Sequence, residues 1–210
     1  MPNANTKRLL IRALRPLLRA VGSLFYDRSY LRGRYFDEHL GGWIWMLRGV
    51  LFQKILGFNR DVPWPVNPFT CVSSPPNITF DPDDLHIFQV FGCYYQCLSG
   101  RITIGKGIYI APNVGLITSN HDPLNLDEHL PGQDIVLGEK CWIGMNSVIL
   151  PGVRLGARTI VGAGAVVTRS FPEGNCVLGG IPARKIRDLD ATVKACDPPV
   201  GRQSPHALNA

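Results

Sequence analysis

The sequence lacks the cysteine spacings that build disulfide frameworks or zinc sites. Its six cysteines include no CxxC pair, so neither framework is predicted. Cys141 and Cys176 lie inside short apolar segments, where a free cysteine serves as a small buried hydrophobic residue. The cysteines therefore favour a reducing, cytoplasmic setting.

Long apolar runs are also scarce. The most apolar stretch, residues 40–58, is broken by Arg48 and Lys54 and falls short of the ~20 predominantly apolar residues that span a bilayer. The first residues are charged throughout, so we expect no secretory signal. A soluble or peripheral protein is indicated.

Acidic residues are few at the start of the chain. Residues 1–60 hold 11 Lys/Arg against 3 Asp/Glu, whereas residues 61–210 hold 11 against 13. No nucleic-acid-binding signature accompanies this basic arm, so we expect no nucleic-acid partner. Within residues 6–21 the arginines recur every three or four positions, with Pro16 as a break. This segment could contact a membrane surface, or pack on the rest of the protein or a neighbouring subunit.

What the sequence does contain is a six-residue period. Two aliphatic series carry it: Leu98, Ile104, Ile110 and Leu116, then Leu137, Ile143, Ile149, Leu155, Val161 and Val167. Small or β-branched residues lie two positions before most of them. Period six excludes an amphipathic helix and fits a short strand plus a turn, three such units closing one triangular coil with the aliphatic residue inside.

The period breaks between Leu116 and Leu137, a gap that is not a multiple of six. Residues 120–133 must therefore leave the coil as a loop, and loops on a rigid scaffold commonly carry function. His121 and His129 lie in this loop. No spacing among His121, His129 and His86 suggests the three histidine ligands of a zinc site, so we expect no metal.

The repeat resembles the hexapeptide-repeat acyltransferases, and the segments around residues 109–114, 119–122, 141–144, 161–168 and 180–184 are similar to sugar and polysaccharide O-acetyltransferases. The resemblance implies a mainly β fold, a left-handed parallel β-helix over residues 66–187. We expect a basic, partly helical arm or cap at 1–65, in which residues 43–58 cover the coil end. A short C-terminal helix and a poorly ordered tail at 188–210 would follow.

The resemblance also implies chemistry. His121 matches the family's catalytic base, which activates an acceptor hydroxyl for direct attack on the thioester of acetyl-CoA. Asp122 could orient the imidazole or cap the turn before Pro123, and both readings stay open. His129 matches no motif and is expected to be solvated.

Further positions match the family's donor and acceptor contacts. Those near acetyl-CoA are Trp142, Gly144, Ala163, Thr168, Arg169, Arg184 and Arg187. Those near the acceptor are Tyr95, Gln96 and Asn113. Met145 replaces a serine often found in sugar acetyltransferases, which removes one hydroxyl from the donor site.

Family members form homotrimers whose sites lie between subunits, and a trimer is expected here. The predicted reaction is acetyl transfer to a saccharide hydroxyl of a polysaccharide precursor or lipid-linked glycan. It is expected in the cytoplasm, with the inner membrane face left open as a more specific location. Two alternatives remain open: transfer to an amino sugar or small amine, and a non-catalytic scaffold. Sugar-nucleotidyltransferase activity is disfavoured because residues 1–70 lack a glycine-rich nucleotide loop.

Overall fold

The computed structural model describes residues 14–189. The first part of the basic segment predicted at 6–21, residues 6–13, lies outside the described residues. So does nearly all of the tail predicted at 188–210.

Three parallel sheets wrap round a common axis, and the chain visits them in a fixed order. We name them face one, face two and face three. Face one contains β1 (Cys71–Val72), β3 (Tyr94–Gln96), β6 (Gly115–Ile117), β11 (Val148–Ile149) and β14 (Val166–Val167). Face two contains β2 (Ile78–Thr79), β4 (Ile102–Ile104), β9 (Ile135–Leu137) and β12 (Arg154–Leu155). Face three contains β5 (Tyr109–Ile110), β10 (Trp142–Ile143), β13 (Ile160–Val161) and β15 (Cys176–Gly179), with β16 (Arg184–Asp188) antiparallel at its edge.

The six-residue period places its aliphatic residues in the core. All six members of the long series are at most 2% exposed: Leu137, Ile143, Ile149, Leu155, Val161 and Val167. Parallel pairing keeps them in register, since Ile143 pairs with Ile110 and Val161. The prediction of a mainly β coil of parallel sheets is therefore confirmed.

The chain turns between faces at three corners: the first joins face one to face two, the second face two to face three, and the third face three to face one. The small residues two places before each core position lie in these turns. The hydroxyls of Ser147 and Thr159 donate hydrogen bonds to the carbonyls of Gly144 and Gly156, at 2.7 and 2.8 Å. These bonds satisfy polar groups that the tight turn would otherwise bury unpaired.

Helices precede the coil. Residues 14–22 are α-helical (α1), followed by a 3-10 turn (Arg28–Tyr30), α2 (Arg34–Asp37), α3 (Gly41–Gly49) and a π-helical turn (Val50–Ile55). Further 3-10 segments are Pro75–Asn77 and Pro82–Gln89. Buried aromatic side chains join these helices to the start of the coil: Trp64 lies with its ring centroid 5.0 Å from those of Tyr30, Phe80 and Phe88.

Two details of the predicted fold are wrong. Leu98 was placed in the interior by the six-residue count, but it is 57% exposed and Cys97 occupies the core instead; the turn at the first corner is irregular there and shifts the register. The short C-terminal helix is also wrong for the described residues. Residues 184–188 extend as β16, because their backbone pairs with the exposed edge of β15.

Within residues 14–189, no helix is both long enough and apolar enough to cross a membrane. The five cysteines in this part of the chain, Cys71, Cys93, Cys97, Cys141 and Cys176, are free thiols. Burial raises the pKa of the Cys141 thiol, as expected for a cysteine that packs as an apolar residue.

Candidate active site

The segment that interrupts the repeat forms a hairpin at the first corner. Strand β7 (His121–Asp122) pairs antiparallel with β8 (Asn125–His129), and His121 lies opposite His129. All five β8 residues are exposed. Backbone bonds from Leu130 N–H to Asn120 O and from Gln133 N–H to Thr118 O, both 2.8 Å, close the base of the hairpin. The loop predicted at 120–133 is thus an ordered arm that holds His121 outside the coil.

A main-chain contact fixes the imidazole of His121. Its Nδ1 lies 2.7 Å from the carbonyl oxygen of Leu126. A carbonyl can only accept, so Nδ1 carries the proton and donates it. In the neutral ring Nε2 then has the free lone pair, which is the form that a general base requires.

Asp122 makes a different contact. Its Oδ1 accepts a hydrogen bond of 2.8 Å from the N–H of Leu124, which caps the turn between β7 and β8. Of the two interpretations left open for Asp122, the structure supports turn capping. Orientation of the imidazole depends on Leu126 instead.

Gln96 anchors the residues that lead into the hairpin. Its side chain is buried, and Oε1 accepts hydrogen bonds from the N–H of Thr118 at 2.9 Å and of Ser119 at 3.2 Å. Nε2 donates to the hydroxyl of Ser119 at 2.8 Å. The amide therefore clamps the backbone two residues before His121, with both ends of its dipole in use.

The other two residues predicted to line the acceptor site differ in exposure. Tyr95 is 1% exposed and donates its hydroxyl proton to the carbonyl of Ile87 at 3.0 Å. Contact with an acceptor would require Tyr95 to leave the core, and Gln96 is similarly enclosed. Asn113 is exposed at the third corner, has a left-handed backbone (φ 59°) and donates Nδ2–H to Oδ1 of Asn146 at 3.1 Å.

Trp142, Gly144 and Ala163 lie together near the third corner. Trp142 is half exposed on face three, and two residues later Gly144 begins the corner turn. A Cβ added to Gly144 would lie 2.6 Å from the Val161 carbonyl and 2.7 Å from the Ala163 nitrogen. The close approach of the two turns therefore demands glycine at 144, and the exposed Ala163 above it offers a shallow surface without a large side chain.

The remaining predicted donor contacts are spread over the end of the coil. Thr168 and Arg169 are exposed at the first corner, and the Arg169 guanidinium lies 5.1 Å from the ring centroid of Phe171. Arg184 and Arg187 are exposed on β16 beside face three. Neither of the two β16 arginines has an ion pair with another described residue, so both guanidinium groups are available to phosphate oxygens.

The predicted base and the predicted donor contacts near the third corner do not meet within one chain. His121 follows a face-one strand, whereas Gly144 and Ala163 precede face-one strands. The two groups therefore lie beyond opposite ends of the face-one strands, and a three-residue strand spans about 10 Å. Among the predicted site residues, Gln96 lies next to the start of the hairpin, and Thr168 and Arg169 lie at the same corner.

One contributor to the site was missed from sequence. Leu126 acts through its carbonyl, which no side-chain pattern reveals. His129 is exposed, which agrees with the expectation that it is solvated, and its ring centroid lies 4.1 Å from that of His121 with the two planes tilted by 39°. A regular hairpin turning at Pro123–Leu124, with Asp122 opposite Asn125, would place His121 opposite Leu126; the register shift between His121 and Asp122 places it opposite His129. Among residues 14–189, no group of three or more His, Cys, Asp or Glu side chains is arranged to hold a metal ion.

Comparison with known proteins gives one family match and several relatives. Residues 134–169 match the family model of the bacterial transferase hexapeptide (six repeats). Galactoside O-acetyltransferase of Escherichia coli is 39% identical over 93 residues, covering 42% of this chain and 45% of that protein. An Escherichia coli acetyltransferase named for colanic acid biosynthesis is 39% identical over 89 residues, covering 42% and 48%. The chain thus spans about half the length of the curated relatives it matches.

Among solved structures, a hexapeptide-repeat-containing acetyltransferase of Vibrio cholerae, complexed with acetyl coenzyme A, aligns with a TM-score of 0.50. The alignment covers 90% of this chain and 93% of that one at 24% identity. At this identity the likeness shows the fold. Together with the family match, it confirms the resemblance that the six-residue repeat indicated.

Proposed function

Since the chain carries a hexapeptide-repeat transferase segment and resembles sugar acetyltransferases, we propose that it is an acetyl-CoA-dependent O-acetyltransferase with His121 as general base. The observation that carries the proposal is the hydrogen bond between His121 Nδ1 and the Leu126 carbonyl. In the neutral ring this bond leaves the free lone pair on Nε2, on a hairpin whose His121 is exposed. A hydroxyl is a poor nucleophile at neutral pH, so its acetylation needs a base of this kind.

In the proposed reaction, His121 Nε2 removes the proton of the acceptor hydroxyl as its oxygen attacks the thioester carbonyl of acetyl-CoA. The tetrahedral intermediate collapses, the carbon–sulfur bond breaks, and the imidazolium returns a proton to the CoA thiolate. The products are an acetyl ester and free CoA. The Leu126 carbonyl accepts the hydrogen bond from Nδ1–H throughout, which keeps the imidazole ring oriented.

For the donor, we propose that the pantetheine arm passes Trp142 and the flat surface at Gly144 and Ala163. Thr168 and Arg169 would contact the CoA end, and Arg184 and Arg187 would pair with its phosphates. The exposure of Trp142, Ala163, Thr168, Arg169 and the two β16 arginines supports this assignment, as does the absence of an ion pair between either β16 arginine and another residue of the described range.

For the acceptor, we propose a saccharide hydroxyl, on a polysaccharide precursor or a lipid-linked glycan. The names of two relatives, one for galactosides and one for colanic acid biosynthesis, support a sugar acceptor. Asn113 offers an exposed amide for hydrogen bonds to it. Gln96 would act indirectly, by fixing residues 118–119 and hence the start of the hairpin.

We further propose a homotrimer of left-handed coils with each site between two subunits. The separation of His121 from the third corner within one chain supports this arrangement, because a neighbouring copy can bring its own third corner to the hairpin. We place the activity in the cytoplasm, a location supported by the free thiols of the described residues.

A panel of saccharides and amines offered with acetyl-CoA tests the proposal. Mass spectrometry would follow acetylated product and free CoA without thiol reagents, which the chain's own cysteines would consume. We expect acetyl esters of a saccharide that are cleaved by mild hydroxylamine. If the products are instead amides on amino sugars that resist hydroxylamine, the acceptor group is an amine and the proposal of a hydroxyl acceptor is wrong. Absence of turnover across a broad glycan panel would favour a non-catalytic scaffold.

A further inference from the structure

The helical cap before the coil, residues 14–58, exposes two apolar stripes. We call them the first and second stripe. The first stripe, on α1 and the turn after it, contains Leu14, Leu17, Val21, Leu24 and Phe25. The second stripe, on α3 and the π-helical turn, contains Leu40, Ile44, Leu47, Leu51 and Ile55. From Leu14 to Leu24, and throughout the second stripe, the residues repeat at intervals of three or four, so each series follows one face of its helix into the turn after it. Phe25 lies next to Leu24 in that turn.

The opposite faces of the same helices are firmly packed, which fixes the stripes outward. Trp43 and Met46 of α3 are at most 4% exposed. Gly22 of α1 lies so close to α3 that an added Cβ would be 2.6 Å from the Met46 sulfur. The Tyr26 hydroxyl donates a hydrogen bond of 3.1 Å to the Gln53 side chain. From sequence, the apolar residues of 43–58 were expected to cover the coil end, but only one face does so.

The exposure of these stripes is large for a monomeric surface. Leu24 is 77% exposed, Leu47 63% and Ile55 64%, and Phe58 beside the second stripe is 49% exposed. Single exposed leucines need no explanation, whereas a contiguous row on a helix marks a surface that another apolar phase covers.

Charge identifies that phase. Residues 1–60 carry 11 Lys/Arg against 3 Asp/Glu. Within the second stripe, Arg48 is exposed and forms no ion pair with another residue of the 14–189 range. A second copy docked through the same face would bring like charges together, and this repulsion opposes pairing of the cap with another cap. An anionic lipid surface attracts the basic groups and accepts the apolar side chains.

We propose that the helical cap is a docking face for an anionic lipid bilayer. The helices lie in the interface, the two stripes enter the boundary between headgroups and acyl chains, and Arg48 contacts lipid phosphates. The contact is peripheral, since it uses the sides of short helices. The proposal concerns binding alone and does not depend on acetyl transfer.

Vesicle flotation of the full chain tests this docking. Vesicles of phosphatidylcholine alone are compared with vesicles that also contain phosphatidylglycerol, each at low and high salt. We expect flotation with the anionic vesicles at low salt, with weaker binding at high salt because surface charge is screened. Failure to float with anionic vesicles at low salt would overturn the proposal.

Paired substitutions locate the face. Leu47→Glu with Leu51→Glu changes two exposed positions of the second stripe and should weaken vesicle binding by about tenfold or more. The matched control, Leu98→Glu with Leu124→Glu, makes the same chemical change at two exposed leucines outside the cap and should bind as the wild type does. Arg48→Gln should weaken binding to anionic vesicles by about fivefold, the factor expected for one basic residue. Thermal unfolding of each variant verifies the fold.

Two outcomes contradict the assignment. One is equal vesicle binding by the stripe variant and the wild type. The other is a stripe variant that binds vesicles with unchanged affinity but has a smaller sedimentation coefficient than the wild type. That result would show that this face is a contact between copies of the chain.

Discussion

His121 and Leu126 are joined across the hairpin by a hydrogen bond of 2.7 Å from the imidazole Nδ1 to the main-chain carbonyl. The bond fixes the tautomer and the ring plane of the proposed base without using any side chain. The carboxylate of Asp122, the side chain nearest in sequence, is occupied by the N–H of Leu124. Orientation of the base therefore depends on the geometry of the hairpin as a whole.

Gln96 should control that geometry, so Gln96→Leu is expected to lower kcat with little change in KM for acetyl-CoA. The substitution removes the side-chain acceptor of the buried Ser119 N–H and the partner of the Ser119 hydroxyl, and it leaves the Thr118 N–H with the Gln96 main-chain carbonyl alone. It should cost about 2–4 kcal/mol of unfolding free energy and let the hairpin base move. Steady-state kinetics at a temperature where the variant is folded would measure the effect.

Gln53 provides the matched control. It is a buried glutamine of the helical cap, whose Oε1 accepts from the Val66 N–H at 2.9 Å and whose Nε2 donates to the Trp64 carbonyl at 3.1 Å. Gln53→Leu should destabilise the protein similarly and leave kcat unchanged. An equal loss of kcat in both variants would mean that Gln96 affects catalysis only through the overall stability of the protein.

The location of the proposed site between subunits predicts complementation. His121→Ala removes the base, and Ala163→Trp places a large ring on the proposed donor surface; each variant alone should be inactive. In each mixed trimer, one of the three interfaces joins an intact His121 to an intact Ala163. About three quarters of randomly assembled trimers are mixed, so roughly a quarter of the wild-type activity should return. Refolding a mixture of the two purified variants and assaying CoA release would measure it. No recovery from verified mixed trimers would place both residues in a site within one chain.

Stability should fall at acid pH through His86. Burial, with a further contribution from the Arg34 guanidinium, lowers the pKa of His86 from 6.5 to about 4. In the unfolded chain His86 therefore becomes protonated below about pH 6.5, whereas in the folded chain it becomes protonated only near pH 4. The stabilisation that His86 gives is complete above pH 6.5 and is lost as the pH falls between these values.

The variant His86→Gln should show a smaller loss of Tm than the wild type between pH 6.5 and pH 4. Asp84, whose pKa burial raises, titrates in both proteins and so cancels largely in the difference. Parallel Tm profiles for the two proteins would contradict the assignment to His86.

The repeat made the coil predictable because an aliphatic residue that recurs every six positions falls at the inward-facing position of successive strands. Val161 and Leu155 could be assigned to the interior from spacing alone, and both are buried. The prediction that Leu98 is buried was wrong because an irregular turn at the first corner breaks the six-residue spacing. Residue spacing carries no information on the shape of a turn. The prediction of a helix at residues 184–188 was wrong because their pairing partner, the edge of β15, exists only in the folded coil.

The site was predictable only in part. His121 could be found because it lies where the repeat stops. Its partner could not, since Leu126 contributes a backbone atom that depends on hairpin register. The sequence predicts Gln96 near the acceptor. In the structure its amide forms hydrogen bonds with Thr118 and Ser119, just before His121.

The measurement that tests the central claim most directly compares His121→Ala and His129→Ala with the wild type, by mass spectrometry of acetylated acceptor and free CoA. Both substitutions remove an exposed imidazole from the same hairpin, and the two rings lie 4.1 Å apart, so the pair separates catalysis from local packing. We expect His121→Ala to lower turnover by about 10²–10⁴-fold, the usual contribution of a general base, and His129→Ala to lower it by much less. Substantial turnover by His121→Ala, or an equal loss in both variants, would contradict the assignment of His121 as the base.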